Sequence, residues 1–302
     1  LVLDIDVENA YLDFKFDGWE DAHFYPNMKK QYVGNGKRHA RKVLAKQKNK
    51  IPLPTPDFLA AGQYKFPFSL TLPKEIPGSF YSDEGQIGYF VGGELFSNNK
   101  LVLEHSQEVS IREMVEDIQF SITKEVQKPL KTWLFSSKGH ADLKVNIERN
   151  CICAGETLPI HIEVDCRNSG LPLKAIKVSL VKETEYKDTS GNESTEVRFI
   201  FYEKYEGVAL GVMKSFDVMI PIPEDVYPTT KGELITCTYS LKIKGKAGGF
   251  RIGSHSPSLK IPISVFCLPV EQHILNAPSN WNPYNMPKAS IYMQSVEGNP
   301  YM

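Results

Sequence analysis

Apolar and polar residues alternate with a period of two along most of this chain. Leu12, Phe14 and Phe16 are separated by Asp13 and Lys15, and Phe66, Phe68, Leu70 and Leu72 by Pro67, Ser69 and Thr71. The rhythm returns in Leu143, Val145 and Ile147, in Ile160, Ile162 and Val164, and in Ile176, Val178 and Leu180. It closes with Leu241 and Ile243, then Ile261, Ile263 and Val265. Successive side chains of a strand point to opposite faces, so each run predicts a strand with one face on a core and one in water. Turn formers stand between the runs: Asn35-Gly36, Asn98-Asn99, Ser169-Gly170, Ser190-Gly191-Asn192 and Ala247-Gly248-Gly249. Gly155 is expected to shape a further turn between two strands.

Helical periodicity is scarce. Residues 38–48 are the one helical candidate, with Val43 and Leu44 their only sizeable apolar side chains. That is too little to bury a helix face, so a mobile basic segment or a short edge strand fits as well. The fold class expected is all-β, built of two tandem antiparallel Ig-like β-sandwiches. A chain of 302 residues is long for one sandwich and suits two. The joint is placed near Gln127-Lys128-Pro129, where a proline interrupts the pattern before a new series begins. This gives domains over residues 1–127 and 128–270, and an aperiodic Asn-, Pro- and Tyr-rich tail over 271–302, expected to be disordered. The chain opens at Leu1 directly in strand-like alternation, and the expectation is that the first strands of its first domain are absent.

Composition narrows the function. Hydrophobic residues make up 41% and charged residues 24%, enough apolar material for two cores. A formal net charge of −1 disfavours a dedicated nucleic-acid binder. No apolar run approaches the roughly 20 residues of a membrane-spanning helix. Cys151, Cys153, Cys166, Cys237 and Cys267 are odd in number and lie in the second half, mostly among apolar residues. They read as reduced core thiols rather than a disulfide framework. Cys151-x-Cys153 lacks the second ligand pair of a zinc site, and no other metal or cofactor signature is present.

Four stretches resemble the arrestin family, and most closely its arrestin-domain-containing branch. LDFKFDGWEDAHFY from Leu12 is similar to that family's first-domain strand, glycine and aromatic strand. AGQYKFPFSLTLPKEIPGSFYSDEGQIGYFVGGELF from Ala61 resembles its FPFxFxLP, P-x-SF and G-x-I-x-Y elements. CAGETLPIHIEVDCRNSG from Cys153 and IKVSLVKETEYK from Ile176 look like the opening of its second domain. ITCTYSLKIKG from Ile235 and LKIPISVF from Leu259 look like its closing strands. Ala154 and Lys182 depart from the family's proline and glutamine. The resemblance implies a non-enzymatic, cytoplasmic adaptor recruited to plasma membrane or endosomes. Its expected partners are cytoplasmic tails of membrane receptors or transporters, trafficking or signalling machinery, and an anionic membrane surface. The tail carries Trp281-Asn282-Pro283-Tyr284 and Asn299-Pro300-Tyr301 but no PPxY motif, so recruitment of WW-domain ligases does not carry over.

The candidate site is a basic run without an acidic residue: Lys29, Lys30, Lys37, Arg38, Arg41, Lys42, Lys46, Lys48 and Lys50. Clustered cations would attract phosphorylated tails or anionic lipid. The competing reading is a solvated loop balanced by acidic neighbours such as Asp17, Glu20 and Asp21. No HExxH, GxSxG or phosphate-loop pattern accompanies the seven histidines and scattered acids, so no catalytic residue is assigned. Two other readings remain open: a retromer-type coat subunit with the same two sandwiches, and an extracellular tandem-sandwich adhesion module.

Overall fold

The computed structural model describes residues 1–26, 36–73, 75–113, 118–131, 137–248 and 256–266. Among these residues every regular element is a strand. They group into two units, one of Leu1–His23 and His39–Ile111, the other of Arg112 onward together with the described residues of Phe24–Arg38.

The first unit is organised on one sheet. Its strands are β1 (Val2–Leu3), β2 (Val7–Glu8), β3 (Ala10–Phe24), β4 (Arg38–Ile51), β5 (Phe58–Leu59), β6 (Gly62–Gln63), β7 (Phe80–Ser82), β8 (Gly85–Ser97) and β9 (Lys100–Glu108). The main sheet runs β4-β3-β8-β7, with β9 also paired to β8, and β1-β6 and β2-β5 form two small antiparallel pairs. Even-numbered residues of β3 face the core, where Leu12, Phe14, Phe16 and Ala22 are all buried. Across the ladder Phe16 lies opposite Val91 and Gly18 opposite Tyr89. Gly18 is required there: a Cβ would stand 2.4 Å from the Tyr89 ring. That ring is fully buried and donates its hydroxyl proton to the Pro77 carbonyl at 2.6 Å. The β8–β9 turn places Asn98 and Asn99 at φ 50° and 62°, the left-handed pair of a tight hairpin that asparagine tolerates.

One expected strand is not a strand. Residues 66–72 alternate as a strand should, yet they pair with no ladder. Pro67 removes a donor near the start of the run. The apolar side chains are still used. Phe66 and Tyr64 pack on the cluster of Val7, Ala10, Leu12, Leu59 and Leu95, and Phe68 lies 3.8 Å from Phe14.

The second unit is a two-sheet sandwich. It contains β10 (Phe120–Lys131), β11 (Ser137–Arg149), β12 (Cys151–Cys153), β13 (Thr157–Asp165), β14 (Leu173–Lys187), β15 (Glu193–Val208), β16 (Met213–Pro221), β17 (Thr230–Lys231), β18 (Ile235–Ala247) and β19 (Ser258–Phe266). One sheet is ordered β10-β11-β13-β16 and the other β12-β19-β18-β14-β15, with β17 on β18. Leu143, Val145, Ile160, Ile162, Val178, Leu180, Leu241 and Ile261 are buried between them. Pairing is antiparallel except for one short stretch, where Cys151–Cys153 runs parallel to the end of β19. Gly155 turns the chain from β12 into β13 at φ 84°, in the left-handed region glycine enters freely.

The joint expected at Gln127-Lys128-Pro129 is crossed by a continuous strand. β10 pairs with β11 from Phe120 to Lys131, with an irregularity between Pro129 and Lys131. An edge strand tolerates a proline because one of its sides needs no donor, and β10 ends its sheet. The two units divide between Ile111 and Arg112. The expected tail, residues 271–302, lies outside the described residues.

Cys151, Cys153, Cys166 and Cys237 are buried and unpaired, while Cys267 lies outside the described residues. Burial pushes the Cys166 and Cys237 thiols above their ordinary range, which keeps the nucleophilic thiolate scarce. All four are expected to resist alkylation at neutral pH in the native chain and to be modified fully after unfolding without reductant. Mass spectrometry decides this; a stoichiometric disulfide would favour the extracellular reading.

Candidate functional site

From Arg38 onward the basic run is a strand, not a loop. β4 forms one edge of the first unit's sheet, and only Ala40 and Ala45 are buried along it. Two methyl groups with the half-buried Leu44 and Ile51 give the strand so little inward apolar surface that its sequence conceals it. Lysine-rich edges are how sheets commonly discourage indiscriminate pairing.

The outward face of this sheet is laid out in cross-strand rows. In one, the Arg41 guanidinium sits 4.6 Å from the Trp19 ring centroid, and Trp19 stacks on Phe90 at 4.7 Å. In another, Lys50 Nζ is 4.9 Å from the Tyr11 ring, and Tyr11 stacks on Phe96 at 4.6 Å. Between them lies a charged row. Lys48 Nζ is 2.7 Å from Glu94 Oε2 and 3.1 Å from Asp13 Oδ2, and Lys15 Nζ is 3.0 Å from Glu94 Oε1 and bonded to Glu104. Asp13 is directly opposite Glu94 in the ladder, a like-charge pairing that the two lysines compensate. Lys48 and Lys15 hold the Glu94 carboxyl below its ordinary range, and Glu104 and Glu94 in turn raise Lys15.

These contacts sort the candidate cations. Lys48 is bound to carboxylates, and Arg41 and Lys50 are spread over aromatic rings. Arg38 is half-buried, with its Nε lacking a hydrogen-bond partner. Lys42 is half-buried and engaged. Lys37 and Lys46 are exposed and make no ion pair among the described residues. Lys29 and Lys30 lie outside the described residues. Of the acidic neighbours expected to balance the run, Asp21 does bond, but to His39 at 2.8 Å. Lys48 meets Asp13 and Glu94, carboxylates not expected from the sequence, while Lys42 and Glu20 are each engaged as well. The aromatic rows of Tyr11, Trp19, Phe90 and Phe96 were not singled out at all. A signal existed: Tyr11 and Trp19 fall on the polar phase of the β3 alternation. Among the described residues, no three His, Cys, Asp or Glu side chains converge to hold a metal ion.

Two tandem all-strand units of this connectivity define the class. The family model described as Arrestin (or S-antigen), N-terminal domain matches residues 19–117, and that described as Arrestin (or S-antigen), C-terminal domain matches residues 137–270. The chain belongs to the arrestin family, whose members are generally adaptors in trafficking.

Among curated proteins it is similar to arrestin domain-containing protein 4 of Mus musculus, 32% identical over 126 residues, 37% of this chain and 28% of that one. It is also similar to arrestin domain-containing protein A of Dictyostelium discoideum, 22% identical over 223 residues, 70% of this chain and 38% of that one. The chain thus matches well under half the length of either relative. No helix among the described residues is long and apolar enough to cross a membrane.

Proposed function

We propose that this chain is a non-enzymatic cytoplasmic adaptor. It binds acidic or phosphorylated cytoplasmic tails of membrane receptors or transporters and links them to trafficking machinery at the plasma membrane or endosomes. Family membership supports the adaptor role. The observation that carries the acidic partner is β4: an open sheet edge with no carboxylate in its own sequence, on which Lys46, with Lys37 just before it, makes no ion pair among the described residues.

The cations differ in what their loss would do. Replacing Arg41 or Lys48 would disturb the aromatic and charged rows of the sheet as well as any binding. Lys37→Gln with Lys46→Gln leaves those rows intact, and exposed substitutions of this kind usually cost less than about 0.5 kcal/mol of stability. At about 1 kcal/mol per cation near an anionic surface, the double variant should bind a phosphopeptide roughly thirtyfold more weakly at low salt. The difference should shrink as ionic strength rises. Isothermal titration of wild type and variant measures it, with phosphatidylserine vesicles as a second ligand. Equal phosphopeptide affinities at low salt would remove β4 from the binding surface, and loss on vesicles alone would assign it to lipid.

A further inference from the structure

We propose that the free edge of β15 is a self-association surface, on which a second copy of this chain adds its own β15 antiparallel to extend the sheet across a two-fold axis.

β15 ends its sheet, and on the side away from β14 it makes no ladder among the described residues. Near its far end Tyr205 lies 5.1 Å from Phe216, and Lys214 bonds Glu206 at 2.9 Å, so the open stretch is residues 197–204. Other edges of this protein carry the usual deterrents to pairing, lysines on β4 and a proline in β10. The open stretch of β15 has no proline and no glycine. It exposes Val197 at 50%, Phe199 at 63% and Tyr202 at 52%, on a strand rich in the aromatic and β-branched residues that favour pairing.

The strand also specifies its own partner. Opposite β14, Phe199 faces Val181 while Phe201 faces Leu180, so Ile200 is an extra residue that switches the phase of the strand. Before the bulge, Val197 and Phe199 lie on one face and Arg198 on the other. After it, Tyr202 and Lys204 share the first face, and Glu203 shares that of Arg198. A two-fold axis normal to the sheet keeps each face on its own side, so opposed residues must come from one face. Two registers meet that condition on both sides of the bulge, centred on Phe199 and Ile200 or on Ile200 and Phe201. The first opposes Glu196 to Glu203, so the second is the one free of like-charge pairs. That register sets Phe199 against Tyr202 of the second copy, Val197 against Lys204, and Arg198 against Glu203. Each pairing occurs twice by symmetry, and no like charges oppose one another.

Sedimentation velocity on the chain, at concentrations up to tens of micromolar, tests this. Wild type should show a reversible monomer–dimer equilibrium. Arg198→Glu alone and Glu203→Arg alone each place two like-charge pairs in the interface and should weaken association at least about tenfold. Arg198→Glu combined with Glu203→Arg should restore it, an outcome that a folding defect would not produce. Circular dichroism confirms that each variant retains strand. A wild type that stays monomeric throughout overturns the proposal, including the case in which this edge takes a strand from a different protein. A double variant no better associated than its parents overturns it too.

Discussion

Phe16→Ala should be among the most damaging single changes in the first unit, costing about 3–5 kcal/mol. Phe16 is fully buried at the middle of β3, its ring stacked 5.9 Å from that of Tyr89. The cavity cannot close easily. Tyr89 is held at one end by its bond to Pro77 and lies over Gly18 along its length, so its ring has little freedom to slide into the space. Urea unfolding followed by circular dichroism should show a large fall in the midpoint. Hydrogen exchange should localise the loss of protection to β3 and β8. A shift of less than about 1 kcal/mol would mean that the site repacks, contrary to the pinned geometry.

Leu241→Ala should cost the second unit about 2–5 kcal/mol. Leu241 lies on β18 with Leu180 of β14 opposite on one side and Ile261 of β19 on the other. All three are essentially inaccessible to solvent, so they form one continuous layer across three adjacent strands. Removing the middle member deprives both neighbours of contacts at once. Leu241→Met, which conserves volume, should lose less than about 1.5 kcal/mol. Comparable losses from the two variants would show that the layer is not the source of the stability.

Much of this fold could be read from alternation alone. Leu143, Val145 and Ile147 are buried at every second position, as are Ile160, Ile162 and Val164. Asn98-Asn99 reads as a hairpin because few other residue pairs accept that backbone without strain. Failures came where the alternation and the ladder part company. Residues 66–72 alternate but cannot pair through Pro67. β15 pairs along its whole length, but Ile200 breaks its phase, and the sequence analysis named no strand there. β4 is a strand whose only fully buried side chains are two alanines, with Leu44 and Ile51 half-buried, so hydrophobicity marks it weakly.

The candidate site was legible only as a list of cations. Which of them remain available depends on what lies beside β4 in space. Nothing local to residues 37–50 indicates that Lys48 meets Glu94, or that Arg41 meets Trp19. Cross-strand neighbours are chosen by topology, and a reading of one segment at a time does not supply them.

The position of β18 and β19 constrains the order in which the second unit can mature during synthesis. These strands, the last among the described residues, occupy the middle of their sheet, between β12, made early, and β14. A nascent chain that has emerged only through β16 holds a β14–β15 hairpin with the inner side of β14 open, and a β12 with nothing to pair against. Domains usually fold as units while the ribosome proceeds at roughly 5–20 residues per second. Here the sheet cannot close until its final strand has cleared the exit tunnel. A ribosome stalled before β18 therefore holds β14 with its inner edge unpaired, and one stalled between β18 and β19 leaves β12 without its partner, open edges of the kind that chaperones acting on emerging chains engage.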